Sequence, residues 1–284
     1  MGESGERLER RSAVLLVALL LAFGASACGG NDQAGFEDVP RSTKPAAPPE
    51  CPVRDHLAAD PHGIRIPGAP TPDQYAFLEA QTDGCHPVRF NPCEPVHYVV
   101  NDVLAPPDAA RDLAAAMQQL GEATGMSFTD DGPTDEIAVT AIGRSPYQPE
   151  RYGERWAPIL IVWGHGAPAG LNETNPGGGR PLRVGDAYVS GFLLLNVDAL
   201  TSDRKPIPSG FGAGTTWGRV ILHEMAHILG LGHVADEDQL MFHELGGQKG
   251  RAELAAGDRL GLRIVGREGG CLPTPPLPAA RPRP

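Results

Sequence analysis

The chain has 284 residues, enough for one or two domains with an apolar core. Its 36 glycines and 29 prolines make up nearly a quarter of it, which argues against a helical bundle and for a loop-rich domain. The formal net charge is −11, with no basic stripe and no basic residues interleaved with aromatics, so nucleic acid is excluded as a partner class.

In chain order, "MGESGERLERR" supplies Arg7, Arg10 and Arg11, and "AVLLVALLLAF" (Ala13–Phe23) is an apolar run too short to span a bilayer. Small residues follow in "GASAC". A basic, then apolar, then small-residue order reads as a secretory signal over residues 1–27. The "ASAC" that ends at Cys28 resembles the lipobox of bacterial lipoproteins, with Ala25 where that pattern prefers leucine. The resemblance implies a lipid on Cys28 and a chain anchored on the outer side of the cell membrane, with plain secretion as the alternative. Residues 28–50 then read as a flexible tether. Residues 272–284 ("LPTPPLPAARPRP") read as a Pro-rich disordered tail. Between them, residues 51–271 make one ordinary domain.

Within that domain "CEPVHYVVND" (Cys93–Asp102) reads as a strand, from its β-branched and aromatic residues bounded by turn formers. "DAARDLAAAMQQLGEATG" (Asp108–Gly125) carries Leu113, Met117 and Leu120 on one stripe and reads as an amphipathic helix. "DEIAVTAIG" (Asp135–Gly143), "PILIVWG" (Pro158–Gly164) and "DAYVSGFLLLNVD" (Asp186–Asp198) read as further strands. A helix that opens on Thr215 or Thr216 comes next, then an irregular stretch, and "AELAAGDRLGLRIVG" (Ala252–Gly266) reads as the closing helix. The order shows no internal repeat and points to an α+β fold.

With Cys28 set aside, four cysteines remain: Cys51, Cys85, Cys93 and Cys271. An even count in an exported chain predicts two disulfides, with three connectivities open at this point.

Three of the nine histidines fall in "HEMAHILGLGH" (His223–His233). His223 and His227 are four apart, so one helix face presents both imidazoles a turn apart and both can reach one zinc ion. His233 is six further on and would point away if the helix continued. Gly230 resolves this, because glycine takes a left-handed conformation without penalty, ends the helix and turns the chain back. Three neutral imidazoles leave the zinc charge on a fourth position, where a bound water has its pKa lowered to about 7. Glu224 stands beside that position as general base, then as general acid to the leaving amine.

"HEMAHILGLGH" resembles HExxHxxGxxH, the zinc motif of the metzincin metallopeptidases. "DEDQLMFHE" follows, and Met241, eight residues past His233, matches the methionine turn beneath the metal in the matrixin branch. The resemblance implies a twisted sheet of about five strands with three helices and zinc in the cleft, over roughly residues 90–266. It also implies a zinc-dependent endopeptidase that pairs an extended protein or peptide substrate with an edge strand, here expected around Leu182–Val184. The loop from Val234 to about Gly250 would shape the pocket for the residue after the cut. In that family the first strand starts near the last helix, which favours Cys93–Cys271 with Cys51–Cys85. Cys85–Cys93 with Cys51–Cys271 is the alternative.

The sequence departs from the pattern in several places. Val234 stands where matrixins usually have serine, and no stretch matches the family's structural zinc and calcium loops. His243 stands where the matrixin pattern has proline, and related branches place a tyrosine there, which makes His243 a candidate oxyanion contact. "PPECPVRD" around Cys51 lacks the arginine and glycine of the propeptide motif that blocks matrixin zymogens. His165 in "VWGHGAP" reads as an exposed loop residue. A monomer is expected. Two other functions remain open: a zinc amidase acting on a cell-wall peptide, and a non-catalytic zinc-binding surface lipoprotein.

Overall fold

The run "ILIVWG" forms the middle of the molecule. In a computed structural model, which describes residues 51–53, 55–58, 74–245 and 250–279, it is strand β4, Ile159–Gly164, buried at every position. Ile159, Ile161 and Trp163 face one apolar core, while Leu160 and Val162 face a second, smaller one. That alternation is the two-residue period of a strand covered on both faces. The expected signal segment, Cys28 and the tether lie outside the described residues, among which no helix is long and apolar enough to cross a membrane.

The main elements in chain order are β1 (Ala76–Phe77), β2 (Val96–Asn101), α1 (Ala109–Thr124), β3 (Phe128–Pro133), α2 (Ala138–Ala141) and α3 (Pro149–Tyr152). They continue with β4, β5 (Gly177–Val184), β6 (Ala187–Asn196), α4 (Trp217–Ile228), β7 (Leu231–Gly232) and α5 (Ala256–Val265). Five strands form one sheet in the order β3-β2-β4-β6-β5. β2 lies parallel to β3 and β4, and β4 parallel to β6; β5 alone is antiparallel and takes an edge. β1 and β7 form a separate two-stranded sheet. The fold is the expected α+β arrangement, with three longer helices, α1, α4 and α5, and two single-turn ones.

The larger core lies between the sheet and the three longer helices, from Leu113 and Leu120 of α1 to Ile221, Met225 and Ile228 of α4 and Leu262 and Val265 of α5. On the other face, Ala138 and Ala141 of α2 cover Leu160 and Val162. A buried ion pair secures that cover. Arg144 gives two hydrogen bonds of 2.9 Å to the Glu136 carboxylate and one of 2.8 Å to Ser190, and the Tyr152 hydroxyl donates to Glu136 as well.

One strand reading is corrected. Asp135–Gly143 is not a strand: it holds α2 and its flanking turns, with Ala138 and Ala141 buried three apart while Ile137, Val139 and Ile142 are exposed. The strand beside β2 is instead "FTDDGP", Phe128–Pro133. An edge position solvates one side of it, so its polar residues carry no apolar alternation to read.

The disulfides are Cys51–Cys85 and Cys93–Cys271. The stretch read as a disordered tail is held at least as far as Pro275. Leu272 donates from its N–H to the Asn91 side chain, Thr274 from its hydroxyl to Glu94 at 2.8 Å, and Trp156 Nε1 to the Pro275 carbonyl at 3.1 Å. It stays extended because proline removes backbone donors and fixes φ. The sequence hid the contacts because their partners lie about 120–180 residues away.

Candidate metal centre

α4 begins where Thr216 accepts a hydrogen bond from the Arg219 N–H, and its terminal Ile228 is followed by Leu229 and then by Gly230 at φ 111°. That positive φ, and a Cβ position crowded by the Val88 carbonyl and the Tyr188 ring, admit only glycine. The chain turns there into β7 and delivers His233 back to the helix.

His223, His227 and His233 then share one point. His233 Nε2 lies 3.3 Å from His223 Nε2 and 3.1 Å from His227 Nε2. Tetrahedral ligands at about 2.0–2.1 Å from zinc stand about 3.3 Å apart, so these gaps suit co-ligands of one ion. The outer nitrogens agree. His223 Nδ1 donates to the Leu240 carbonyl at 2.8 Å and His227 Nδ1 to the Leu231 carbonyl at 2.7 Å. Both bonds place the ring proton on Nδ1 and leave Nε2 with its lone pair toward the centre. Burial, with the two other rings close by, holds the His223 pKa well below the ordinary histidine value, which favours the neutral ligand form. Among the described residues no other group of three or more His, Cys, Asp or Glu meets the geometry of a metal site.

Glu224 sits beside the triad, 7% exposed. Burial pushes its carboxyl up to about 7, against the pull of the Gly179 N–H and of His233. The Gly179 N–H donates to its Oε2 at 2.7 Å, so the edge strand β5 orients this carboxylate. Gly179 can do so only as glycine, because a Cβ there would collide with the Glu224 backbone carbonyl.

The turn after His233 is tied in from below. Val234 N–H donates to the Met241 carbonyl at 3.0 Å, and Met241 is buried. Asp258 of α5 accepts from the N–H groups of Leu240 at 2.7 Å, Met241 at 3.2 Å and Ala255 at 2.8 Å, so the last helix carries the turn.

All three histidines and Glu224 line a cleft of about 1070 Å³ that runs along β5, with Leu78 and Glu79 in one wall and His243, Glu244 and Leu245 in another. The edge strand is therefore Gly177–Val184, longer than the Leu182–Val184 expectation. His243 is in the cleft, its ring centroid 6.4 Å from that of His233. His165 is away from the centre, exposed and paired with Asp198 at 2.9 Å. Sequence reasoning missed Gly179, Asp258 and β1. The "GGG" run of Gly177–Gly179 was the one usable signal, since consecutive glycines mark a close backbone approach.

Residues 183–265 match the family model of matrixin (Peptidase_M10), a span that holds all three histidines, Glu224, Met241 and Asp258. The match supports a zinc metallopeptidase in general terms. No curated protein is similar enough to the chain to count as a match. One similar solved structure is High choriolytic enzyme 1 (HCE-1), a hatching enzyme zinc-protease from Oryzias latipes, the medaka fish. It shares 14% identity over 55% of this chain and 54% of that one, with a TM-score of 0.29; the chain thus spans about half its length.

Proposed function

We propose that this chain is a zinc-dependent endopeptidase, exported and either anchored through a lipid on Cys28 or secreted. The observation that carries the reading is the convergence of three Nε2 atoms, two with their Nδ1 protons fixed by backbone carbonyls, beside one buried carboxylate.

His223, His227 and His233 would hold the metal. Zinc there supplies Lewis acidity, polarising a carbonyl and lowering the pKa of water to about 7. The remaining work belongs to the chain. Glu224, fixed by the Gly179 N–H, takes the proton from the attacking water and returns it to the leaving amine. An extended substrate pairs with the outer edge of β5, main chain to main chain, and so lies along the cleft past Glu224. His243 faces the same space as a donor to the developing oxyanion. Met241 supports the site without reacting.

The test is zinc content together with cleavage of an unbiased peptide library, for the chain and for Glu224→Ala. About one zinc per chain in both, with cleavage only by the unmutated chain, is the expected result. Zinc in both with cleavage by neither would turn the reading toward an amide outside proteins or a zinc binder. A folded chain that takes no zinc would overturn it.

A further inference from the structure

The third histidine is held by chain that lies far from it in sequence. β7 ends one residue before His233 and runs antiparallel to β1, with Ala76 opposite Gly232 and Phe77 opposite Leu231. The Leu78 N–H donates to the Gly230 carbonyl at 2.9 Å. Outside β1 lies a third segment: the Ala58 N–H donates to the Phe77 carbonyl at 2.8 Å, and the Phe77 N–H to the His56 carbonyl at 2.7 Å. Cys51–Cys85 closes this arrangement, and next to it the Val53 N–H donates to the Cys85 carbonyl at 3.1 Å. The stack is tight, since Phe77 is fully buried and a Cβ at Gly232 would collide with that of Ala58.

β7 serves two ligands at once. Its Leu231 carbonyl accepts from His227 Nδ1, and its far end leads into His233. Two of the three residues from Gly230 to Gly232 are glycine, the residue that loses most freedom on ordering. Apart from β1, this segment is held by the end of α4, by the His227–Leu231 hydrogen bond and by the Val234–Met241 hydrogen bond, so losing β1 removes its strand pairing. A ligand set held in place before the metal arrives binds it more tightly than one that must be ordered on binding.

We propose that the Cys51–Cys85 clamp, acting through Ala58, Phe77 and Leu78 on β7, is a positioning element for His233 and thereby sets the affinity for zinc. The inference rests on the zinc reading above.

The experiment measures zinc affinity of the metal-free chain against a competing chromophoric chelator and records the ligand-field spectrum after loading with cobalt(II). Cys51→Ala/Cys85→Ala is expected to bind zinc about 10–100-fold more weakly, the range found when partners that orient ligands are lost, and to give an altered cobalt spectrum. Cys93→Ala/Cys271→Ala, which removes the other bridge, should keep both readouts. A purely structural role for the Cys51–Cys85 bridge would not separate the two pairs. Gly232→Ala, which drives Ala58 away, should weaken zinc binding too, and adding Ala58→Gly should restore it. Equal zinc affinity in both disulfide variants, or failure of Ala58→Gly to rescue, overturns the inference. If the Cys51→Ala/Cys85→Ala chain does not fold by circular dichroism, the Gly232 and Ala58 variants decide alone. Zinc binding that His233→Ala leaves intact, or none in the unmutated chain, would instead bring down the zinc reading itself.

Discussion

Cys51–Cys85 closes a separation of 34 residues and Cys93–Cys271 one of 178. By chain entropy alone these are worth about 4 and about 5 kcal/mol, near equivalents as stabilisers. What they hold is different. The first ties the chain just before the segment that pairs with β1 to Cys85, beyond β1. The second joins the approach to β2 to the end of the α5 region and starts the segment whose Pro275 carbonyl accepts from Trp156. On the proposed reading, two clamps of similar strength divide the molecule into a metal side, where small displacements would alter ligand geometry, and a sheet side, where they would alter stability alone.

The largest expected effect on stability is on the sheet side. Cys93→Ala/Cys271→Ala should lose about 5 kcal/mol in denaturant unfolding. Next comes the ion pair on the sheet face opposite α4. Arg144→Ala leaves the Glu136 carboxylate buried without its partner, at a cost of about 3–5 kcal/mol, again with zinc affinity unchanged. A fall in zinc affinity in either variant would break the division.

Asp258 sharpens it from the metal side. Burial pushes its carboxyl up to about 6, above the ordinary 3.8, against three backbone N–H donors. A carboxyl raised in this way takes up a proton on folding between about pH 4 and pH 6. It therefore favours the native state as pH falls through that window and carries the full cost of a buried charge above it. The metal-free chain should gain about 2 kcal/mol relative to Asp258→Asn between pH 7 and pH 4; equal pH profiles in the two proteins would refute the shift. The smallest effect is that of Thr216→Ala, which removes the cap of α4 and should cost about 1 kcal/mol in thermal unfolding, with zinc affinity kept.

The histidine helix was legible because its information is local. Two imidazoles four apart, a cap at Thr216 and a stop at Gly230 all fall within fifteen residues. β4 and β6 were legible too, since a strand buried on both faces reads as an apolar run. β5 was not: "GGGRPLRV" has little strand propensity, and what makes it a strand is pairing with β6 and contact with α4. The stretch around Val139 failed for the opposite reason, as its β-branched and apolar residues suit a strand while, of its apolar residues, just Ala138 and Ala141 turn inward. β1 is two residues long and meaningless until Leu231 lies beside it. The carboxylate partner of Gly179 and the support that Asp258 gives to Met241 are likewise tertiary facts.

Phe77 and Leu231 lie more than half the chain apart, and this has a consequence in time. His223 and His227 sit one turn apart on α4, so their spacing is set by local backbone as soon as that helix forms. β7 acquires its strand partner only after chain ends far apart have met, and contacts of such separation form slowly. The centre should therefore mature in two stages, a quick pair and a late third ligand. Refolding followed by cobalt absorbance should lag behind refolding followed by helix signal.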